Sequence, residues 1–127
     1  MSDARPLLLP APLLWLCQLG ACAILAMAGY SKVSGAPSDV ALFTQLGMEP
    51  DGRLTVGVLE LISALGLLHS VSAPYAALIG AGVLTGAGLA HMGPLGFGGM
   101  EIFLPTYSAL LAVLIGRWRA LPFAVAR

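Results

Sequence analysis

The sequence predicts an all-α fold, an integral membrane antiparallel four-helix bundle with a short interfacial helix between the first two spans. Of the 127 residues, 58% are hydrophobic and 9% are charged, and the mean hydropathy is +0.92. A soluble core of this size cannot hide so much apolar surface, so lipid must cover the rest. Four apolar segments also approach the roughly 20 residues that a membrane span needs.

Four spans are predicted, and together they make the chain one transmembrane domain. They occupy residues 12–32, 54–70, 74–92 and 102–118 of a domain that covers 1–127. The second and fourth apolar runs are short for a full crossing, so each is expected to gain a turn from its flanks. No charge block, Ser-rich tract or long polar linker divides the chain.

The first apolar segment also fits a second interpretation. Arg5, a Leu-rich run and the small residues Ala26-Met27-Ala28 resemble a secretory signal with its cleavage site. We favour a span, because the run is long enough to cross the membrane and cleavage would leave an odd three helices.

The basic residues predict an orientation. An even number of spans puts both termini on one side, together with four arginines: Arg5, Arg117, Arg119 and Arg127. Lys32 and Arg53 fall on the opposite side. Because cytoplasmic segments carry an excess of Lys and Arg, we expect both termini in the cytoplasm and the loops at about 33–53 and 93–101 outside.

The two outer loops carry local structural signals. In the first loop, Ser38 and Asp39 are good helix-start residues, and apolar residues at helical spacing follow before Gly47. This pattern predicts the short interfacial helix. The second loop, residues 93–99, has four glycines in seven residues and predicts a mobile or tightly turning cap over the same end of the bundle.

Glu60 is the polar residue whose position most needs an explanation. It lies about six residues into the second span, roughly 9 Å along the helix, which is too deep for a short side chain to reach water easily. By insertion scales an ionisable side chain there costs about 2.5–3.5 kcal/mol, so it needs a partner, a cavity or a role. Gly57 and Ala64, one turn to either side, let a neighbouring backbone approach, so Glu60 should point into the bundle.

Three further ionisable residues are predicted at the same membrane face. Lys32 and His91 end small-residue stripes on the first and third spans, and Glu101 begins the fourth. With Glu60 they would lie in or just outside the outer half of the membrane, where they can meet. Two interpretations stay open, a Lys32–Glu60 ion pair that only holds two helices together and a site that contacts a ligand.

Composition and spacing exclude several classes of partner. Six basic and six acidic residues give a net charge of zero, so the chain lacks the basic field that nucleic-acid binding requires. No recognised ligand spacing supports a metal at Glu60, His91 and Glu101. No cofactor is expected to be bound covalently, and the expected partners are the lipid bilayer and a lipophilic small molecule.

Four short motifs follow one another along the chain. They are Ala28-Gly29-Tyr30-Ser31-Lys32-Val33, Phe43 with Gly47, Gly57-Val58-Leu59-Glu60-Leu61 and, more loosely, Gly86-Ala87-Gly88-Leu89-Ala90-His91. In this order and spacing they resemble the DoxX-like family of small bacterial four-helix membrane proteins, over about residues 14–117. In that family a proline often follows the loop glycine, whereas here Met48 and Glu49 precede Pro50.

The resemblance implies a fold, a location and a polar pair. It implies the bacterial cytoplasmic membrane and nominates Lys32 and Glu60. Members of the family and related thiosulfate-oxidising subunits have been linked to quinone-connected oxidoreductase complexes, while distant relatives act as membrane chaperones or scaffolds. We therefore expect a polar pocket in the outer half of the bundle that binds a quinone or another lipophilic small molecule, beside a redox partner subunit or in a homo-oligomer.

Seven residues are the candidate site. The candidate catalytic residues are Glu60, His91 and Glu101, and the candidate ligand-binding residues are Lys32, Tyr30, Gly57 and Tyr107. Two further hypotheses for the function stay open. One is a stand-alone membrane enzyme that uses acid/base chemistry on an apolar substrate in an isomerisation, cyclisation or epoxide opening. The other is a membrane chaperone or assembly subunit.

Overall fold

The structure is a computed structural model that describes residues 9–98 and 100–118, and these form five helices and no strand. The helices are α1 (Ala11–Ser34), α2 (Pro37–Gln45), α3 (Asp51–Leu67), α4 (Ala73–His91) and α5 (Met100–Arg117). Among them α1, α4 and α5 are long and apolar enough to cross a membrane. The orientation argument also uses Arg5, Arg119 and Arg127, which lie outside the described residues.

Helix α3 differs from the predicted second span in its position along the chain. It begins at Asp51, three residues earlier than predicted, and ends at Leu67. Asp51 lies in the first turn, where a carboxylate complements the positive end of the helix dipole. With 17 residues the helix is about 25 Å long, somewhat shorter than the roughly 30 Å hydrocarbon layer.

The short helix α2 forms in the loop where it was predicted, but it starts differently. Pro37 occupies its first turn, and no side chain caps its N-terminus. Asp39 does not act as a cap, because its carboxylate accepts a hydrogen bond from the hydroxyl of Ser31 on α1. After the helix, Gly47 adopts a φ of 68°, in the left-handed region that glycine occupies without strain.

The four long helices form a closed ring of contacts. Helix α1 packs against α3 and α5, and α4 packs against the same two helices. Helices α1 and α3 approach each other closely at Gly29 and Gly57. A Cβ on Gly29 would lie 2.8 Å from the carbonyl oxygen of Gly57, so the backbones can meet only because both residues lack a side chain.

The packed hydrophobic core occupies one half of this ring. Its buried members are Ala21, Leu25, Ala64, Leu67, Ala73, Ala76, Ala77, Leu110 and Val113. All the members from α3 follow Glu60, and all those from α4 precede Leu78. The core is therefore displaced toward the end of α3 and the start of α4, away from the two loops that carry α2 and the glycines.

A buried polar network lies at that same end. Gln18, which is fully buried, donates a hydrogen bond from Nε2 to the carbonyl oxygen of Leu67 at 2.9 Å. Its Oε1 accepts a hydrogen bond from Nε of Arg117, whose guanidinium also lies 5.2 Å from the ring centroid of Trp15. The network joins α1, α3 and α5 at the end of the ring opposite Lys32.

Candidate functional site

A direct ion pair between Lys32 and Glu60 joins α1 to α3. Nζ of Lys32 lies 3.0 Å from Oε2 of Glu60 and donates a hydrogen bond to Oε1 at 3.1 Å. Glu60 is only 4% exposed and lies nine residues after Asp51, roughly 13 Å along the helix. Its Oε2 is within ion-pair distance of Lys32 but accepts no hydrogen bond from any described group. One carboxylate oxygen is thus left with spare acceptor capacity.

The close approach of α1 and α3 puts the two charges within reach of each other. A Cβ on Gly57 would lie 2.9 Å from Cβ of Lys32, so the lysine side chain crosses α3 over the glycine and reaches Glu60 one turn further on. Gly57 was predicted to contact a ligand, but the structure places it against α1. Its position explains the geometry of the pair through helix packing.

A cavity of about 750 Å³ opens beside the ion pair. Helices α3 and α4 supply most of its wall, for example Leu59 and Ala87, and Glu60 and Lys32 supply charge. Helix α2 covers it with Phe43, which is itself 5% exposed. The cavity occupies the half of the ring into which the hydrophobic core does not extend.

Hydrogen bonds hold the glycine-rich loop over one end of the cavity. Gln45, at the end of α2, donates from Nε2 to the carbonyl oxygen of Pro94 at 3.0 Å. Nδ1 of His91 lies 2.7 Å from the carbonyl oxygen of Gly96 and donates to it. Gly96 adopts a φ of 72°, which allows the chain to turn tightly there. The loop is therefore connected to both α2 and α4.

Sequence reasoning missed a second charged cluster, which fixes the end of α1. Arg53 donates to the carbonyl oxygen of Lys32, and its guanidinium also contacts both carboxylate oxygens of Glu49 at 2.8–2.9 Å. Asp39, whose carboxylate accepts the hydrogen bond from Ser31, lines the cavity. The spacing of Glu49 and Arg53, four residues apart, was the available signal. Nothing local showed that Arg53 would reach a main-chain oxygen 21 residues earlier in the chain.

Lys32, Glu60 and His91 line the same cavity at different depths. A Cβ on Gly80 would touch the hydroxyl of Ser63, which sets the register of α3 against α4. Glu60 lies nearly one turn before Ser63 on α3. Since α4 runs back along α3, Glu60 is level with a point about one turn after Gly80. His91 lies roughly 11 Å beyond that level, at the loop end. The ion pair is deep, whereas the imidazole is at the rim.

The remaining predicted site residues lie away from the cavity. Tyr30 is 71% exposed on α1, and Glu101 is exposed in the first turn of α5. The hydroxyl of Tyr107 lies 3.1 Å from that of Thr85, and its ring stacks on Phe103 with centroids 5.6 Å apart. The cavity wall contains no residue of the described part of α5. A helix surrounded by lipid is apolar on every face, so the spacing of its hydrophobic residues does not show which face turns inward.

Within residues 9–98 and 100–118, no group of three His, Cys, Asp or Glu side chains is arranged to hold a metal ion. The polar groups of the cavity instead comprise an ammonium group, carboxylates and an imidazole, which are hydrogen-bonding and proton-carrying groups.

Comparison with known proteins places the chain in a family. The model of the DoxX-like family matches residues 16–115, which include the whole cavity wall and the Lys32–Glu60 pair. Neither the curated proteins nor the solved structures contain a match to the chain. The family match covers most of the sequence, and three helices are long and apolar enough to cross a membrane. The chain is therefore a multi-pass membrane protein that belongs to the DoxX-like family.

Proposed function

We propose that α1, α3, α4 and α5 form one antiparallel four-helix transmembrane domain, with α2 at the membrane interface. Contacts that run in opposite order along neighbouring helices support this arrangement. Along α1, Gln18 meets Leu67 and Lys32 meets Glu60. The excess of arginine at the termini favours a cytoplasmic location for both ends in a bacterial cytoplasmic membrane. The cavity then lies in the outer half of the bundle.

We propose that the cavity binds a quinone or another lipophilic small molecule, and that the protein is a component of a membrane oxidoreductase system. One observation carries this proposal, namely a largely apolar cavity of about 750 Å³ with a buried ion pair in its wall. Ligand sites typically enclose about 300–1,000 Å³, with apolar walls and a few polar groups that fix orientation. A mere clasp between two helices would not need such a space next to it.

The charged groups suit a ligand whose polar head carries carbonyl or hydroxyl oxygens. The ammonium group of Lys32 can donate to a carbonyl oxygen while it stays paired with Glu60. Oε2 of Glu60, which accepts no hydrogen bond in the structure, can accept one from a hydroxyl group or hold a proton. A bound quinone would supply electron transfer, and a partner subunit or a second copy of the chain would complete the redox system.

Quinone binding to the purified protein in lipid nanodiscs tests this proposal. The ligand is measured in its reduced form, the quinol, because its hydroxyl group can donate to the carboxylate. Loss of the carboxylate in Glu60→Gln removes this charged hydrogen-bond acceptor, worth about 1.5–3 kcal/mol, so the affinity for the quinol should fall about 10- to 100-fold. The matched control is Glu101→Gln, which removes an exposed carboxylate outside the cavity wall and should leave affinity unchanged. If folded Glu60→Gln protein binds the ligand as tightly as the wild type, or if neither protein binds it, the ion pair only holds α1 and α3 together.

A second candidate function is supported by the same carboxylate. A stand-alone acid/base enzyme would use Glu60, because Oε2 is buried and accepts no hydrogen bond. Its expected counterparts are less well placed, since His91 lies at the rim and Glu101 is outside the cavity wall. Turnover of an apolar epoxide or alkene by the purified protein, abolished in Glu60→Gln, would favour this function over quinone binding.

An assembly or chaperone role makes a different prediction from either chemical function. Under it, the exposed faces of the helices would pack against partner helices, and the cavity would have no ligand. Glu60→Gln would then change the recovery of partner proteins from the membrane, with no quinone binding and no turnover.

A further inference from the structure

Several wall residues of the cavity on α3 and α4 are exposed, which indicates an opening between these two helices. Leu59 and Leu78, which belong to its wall on these two helices, are 36% and 45% exposed. Gly82 and Gly86 also line the cavity and are exposed, and a Cβ on either residue would find no atom within 4 Å. We call the opening bordered by these four residues the lateral window. In the proposed bundle it faces the hydrocarbon of the bilayer.

The end of the cavity under the loops is partly covered, and Met48 in its wall there is 47% exposed. Phe43 is buried over it, and the hydrogen bonds from Gln45 to Pro94 and from His91 to Gly96 hold the loop in place. A molecule that arrived from water between α2 and the glycine-rich loop would have to break these contacts. A molecule that arrived from lipid through the lateral window would break none of them.

The lateral window is also at the depth of the ion pair. By the register of Ser63 against Gly80, Glu60 is level with the α4 segment that contains Gly82 and Gly86. The loop end lies roughly 11 Å away, measured along α4. A polar head that enters through the window therefore reaches the pair without the displacement of roughly 11 Å along α4 that entry at the loop end requires.

Resting on the proposed function, we infer that the ligand is an amphiphile with a polar head and an apolar chain, and that it enters from the bilayer through the lateral window. Its polar head contacts Lys32 and Glu60, and its chain passes between Leu59 and Leu78 and stays in lipid. The part of the chain next to the head contacts the apolar wall of the cavity, and the part that stays in lipid loses no favourable environment on binding. The ligand is thus drawn from molecules already dissolved in the membrane.

Photo-crosslinking in nanodiscs tests this inference with two probes, both prenylated benzoquinones. One probe carries a diazirine on the ring, and the other carries it on the chain a few carbons from the ring. The ring probe should label the peptides that contain Lys32 or Glu60. The chain probe should label Leu59 and Leu78 rather than Leu46 and Leu95, which line the cavity at its loop end.

Filling the window provides a variant with a matched control. In Gly82→Leu/Gly86→Leu the new side chains have free space, so the protein should fold while labelling by the ring probe falls tenfold or more. Gly20→Leu adds the same side chain to an exposed glycine of α1 outside the cavity, where a Cβ also has nothing within 4 Å. Labelling should be unchanged in this control.

The possible outcomes separate the inference from the proposed function. Ring labelling at the ion pair with chain labelling at Leu46 and Leu95 would overturn the lateral window and leave quinone binding intact. Full ring labelling in folded Gly82→Leu/Gly86→Leu would also overturn it. If the ring probe gives no labelling of the wild type that an unlabelled quinone can compete away, both the lateral window and quinone binding are overturned.

Discussion

The Lys32–Glu60 pair allows a quantitative prediction about single and double substitutions. Lys32→Met removes the only cation found within ion-pair distance of Glu60 in the described structure, and it leaves a carboxylate that is 4% exposed. Removing one partner of a buried ion pair costs about 3–5 kcal/mol, because an uncompensated charge remains in an apolar environment. We expect Lys32→Met to lower the free energy of unfolding by this amount.

The reverse substitution should be milder. In the wild type, Nζ of Lys32 lies 3.1 Å from Oε1 of Glu60 and 3.5 Å from the carbonyl oxygen of Ala28. In Glu60→Gln the amide oxygen can keep the hydrogen bond from Nζ. The expected loss is about 1–3 kcal/mol, the range for one weakened charged hydrogen bond. The double variant Lys32→Met/Glu60→Met buries no charge and should be more stable than Lys32→Met alone.

Reversible unfolding in mixed micelles, followed by the loss of helical circular dichroism, measures these free energies, and a double-mutant cycle isolates the coupling. Glu101→Gln serves as the control, since its carboxylate is exposed. The reasoning is refuted if Lys32→Met costs less than Glu60→Gln, or if the double variant is less stable than Lys32→Met. A stable double variant that no longer binds quinone would identify the pair as a working site. One that still binds quinone would exclude that role.

Two further predictions concern the packing that holds the site. Gly29→Ala would put a Cβ 2.8 Å from the carbonyl oxygen of Gly57, and it should lower the free energy of unfolding by about 1–3 kcal/mol in the same assay. The control Gly20→Ala adds a Cβ in free space, so it should leave the stability unchanged or stabilise α1. Equal stabilities of the two variants would contradict the close helix contact. Gln18→Leu leaves the carbonyl oxygen of Leu67 without its side-chain donor and should lower the unfolding free energy by about 1–3 kcal/mol. An unchanged value would show that this hydrogen bond contributes little.

The helices of this protein could be predicted from local properties of the chain. Apolar runs of span length and Gly47 after a short helical pattern are signals contained within a few residues. The boundaries were less predictable, as α3 shows by beginning at Asp51 rather than at residue 54. Charged residues near a helix start belong to the helix when they complement its dipole or find a partner, and hydropathy alone does not register this.

The candidate site was predictable only where one residue carried a strong physical cost. Glu60 was identified because a carboxylate in an apolar span requires compensation, and Lys32 was predicted at the same membrane face. Tyr30 and Tyr107 carried no such cost, and the structure places both outside the cavity wall. Asp39 and Arg53 looked like ordinary loop and helix-start residues, yet they contact α1 and fix the surroundings of Lys32.

The sequence by itself determined that this chain is helical, that lipid must cover much of it and that Glu60 needs a partner. These conclusions follow from composition, span length and the cost of a buried charge, all of which are local. Only the tertiary structure decided which helix faces turn inward, because in lipid both faces are apolar and the inner one is selected by steric fit, as at Gly29 and Gly57. That fit joins Lys32 to Glu60 and leaves the cavity beside them.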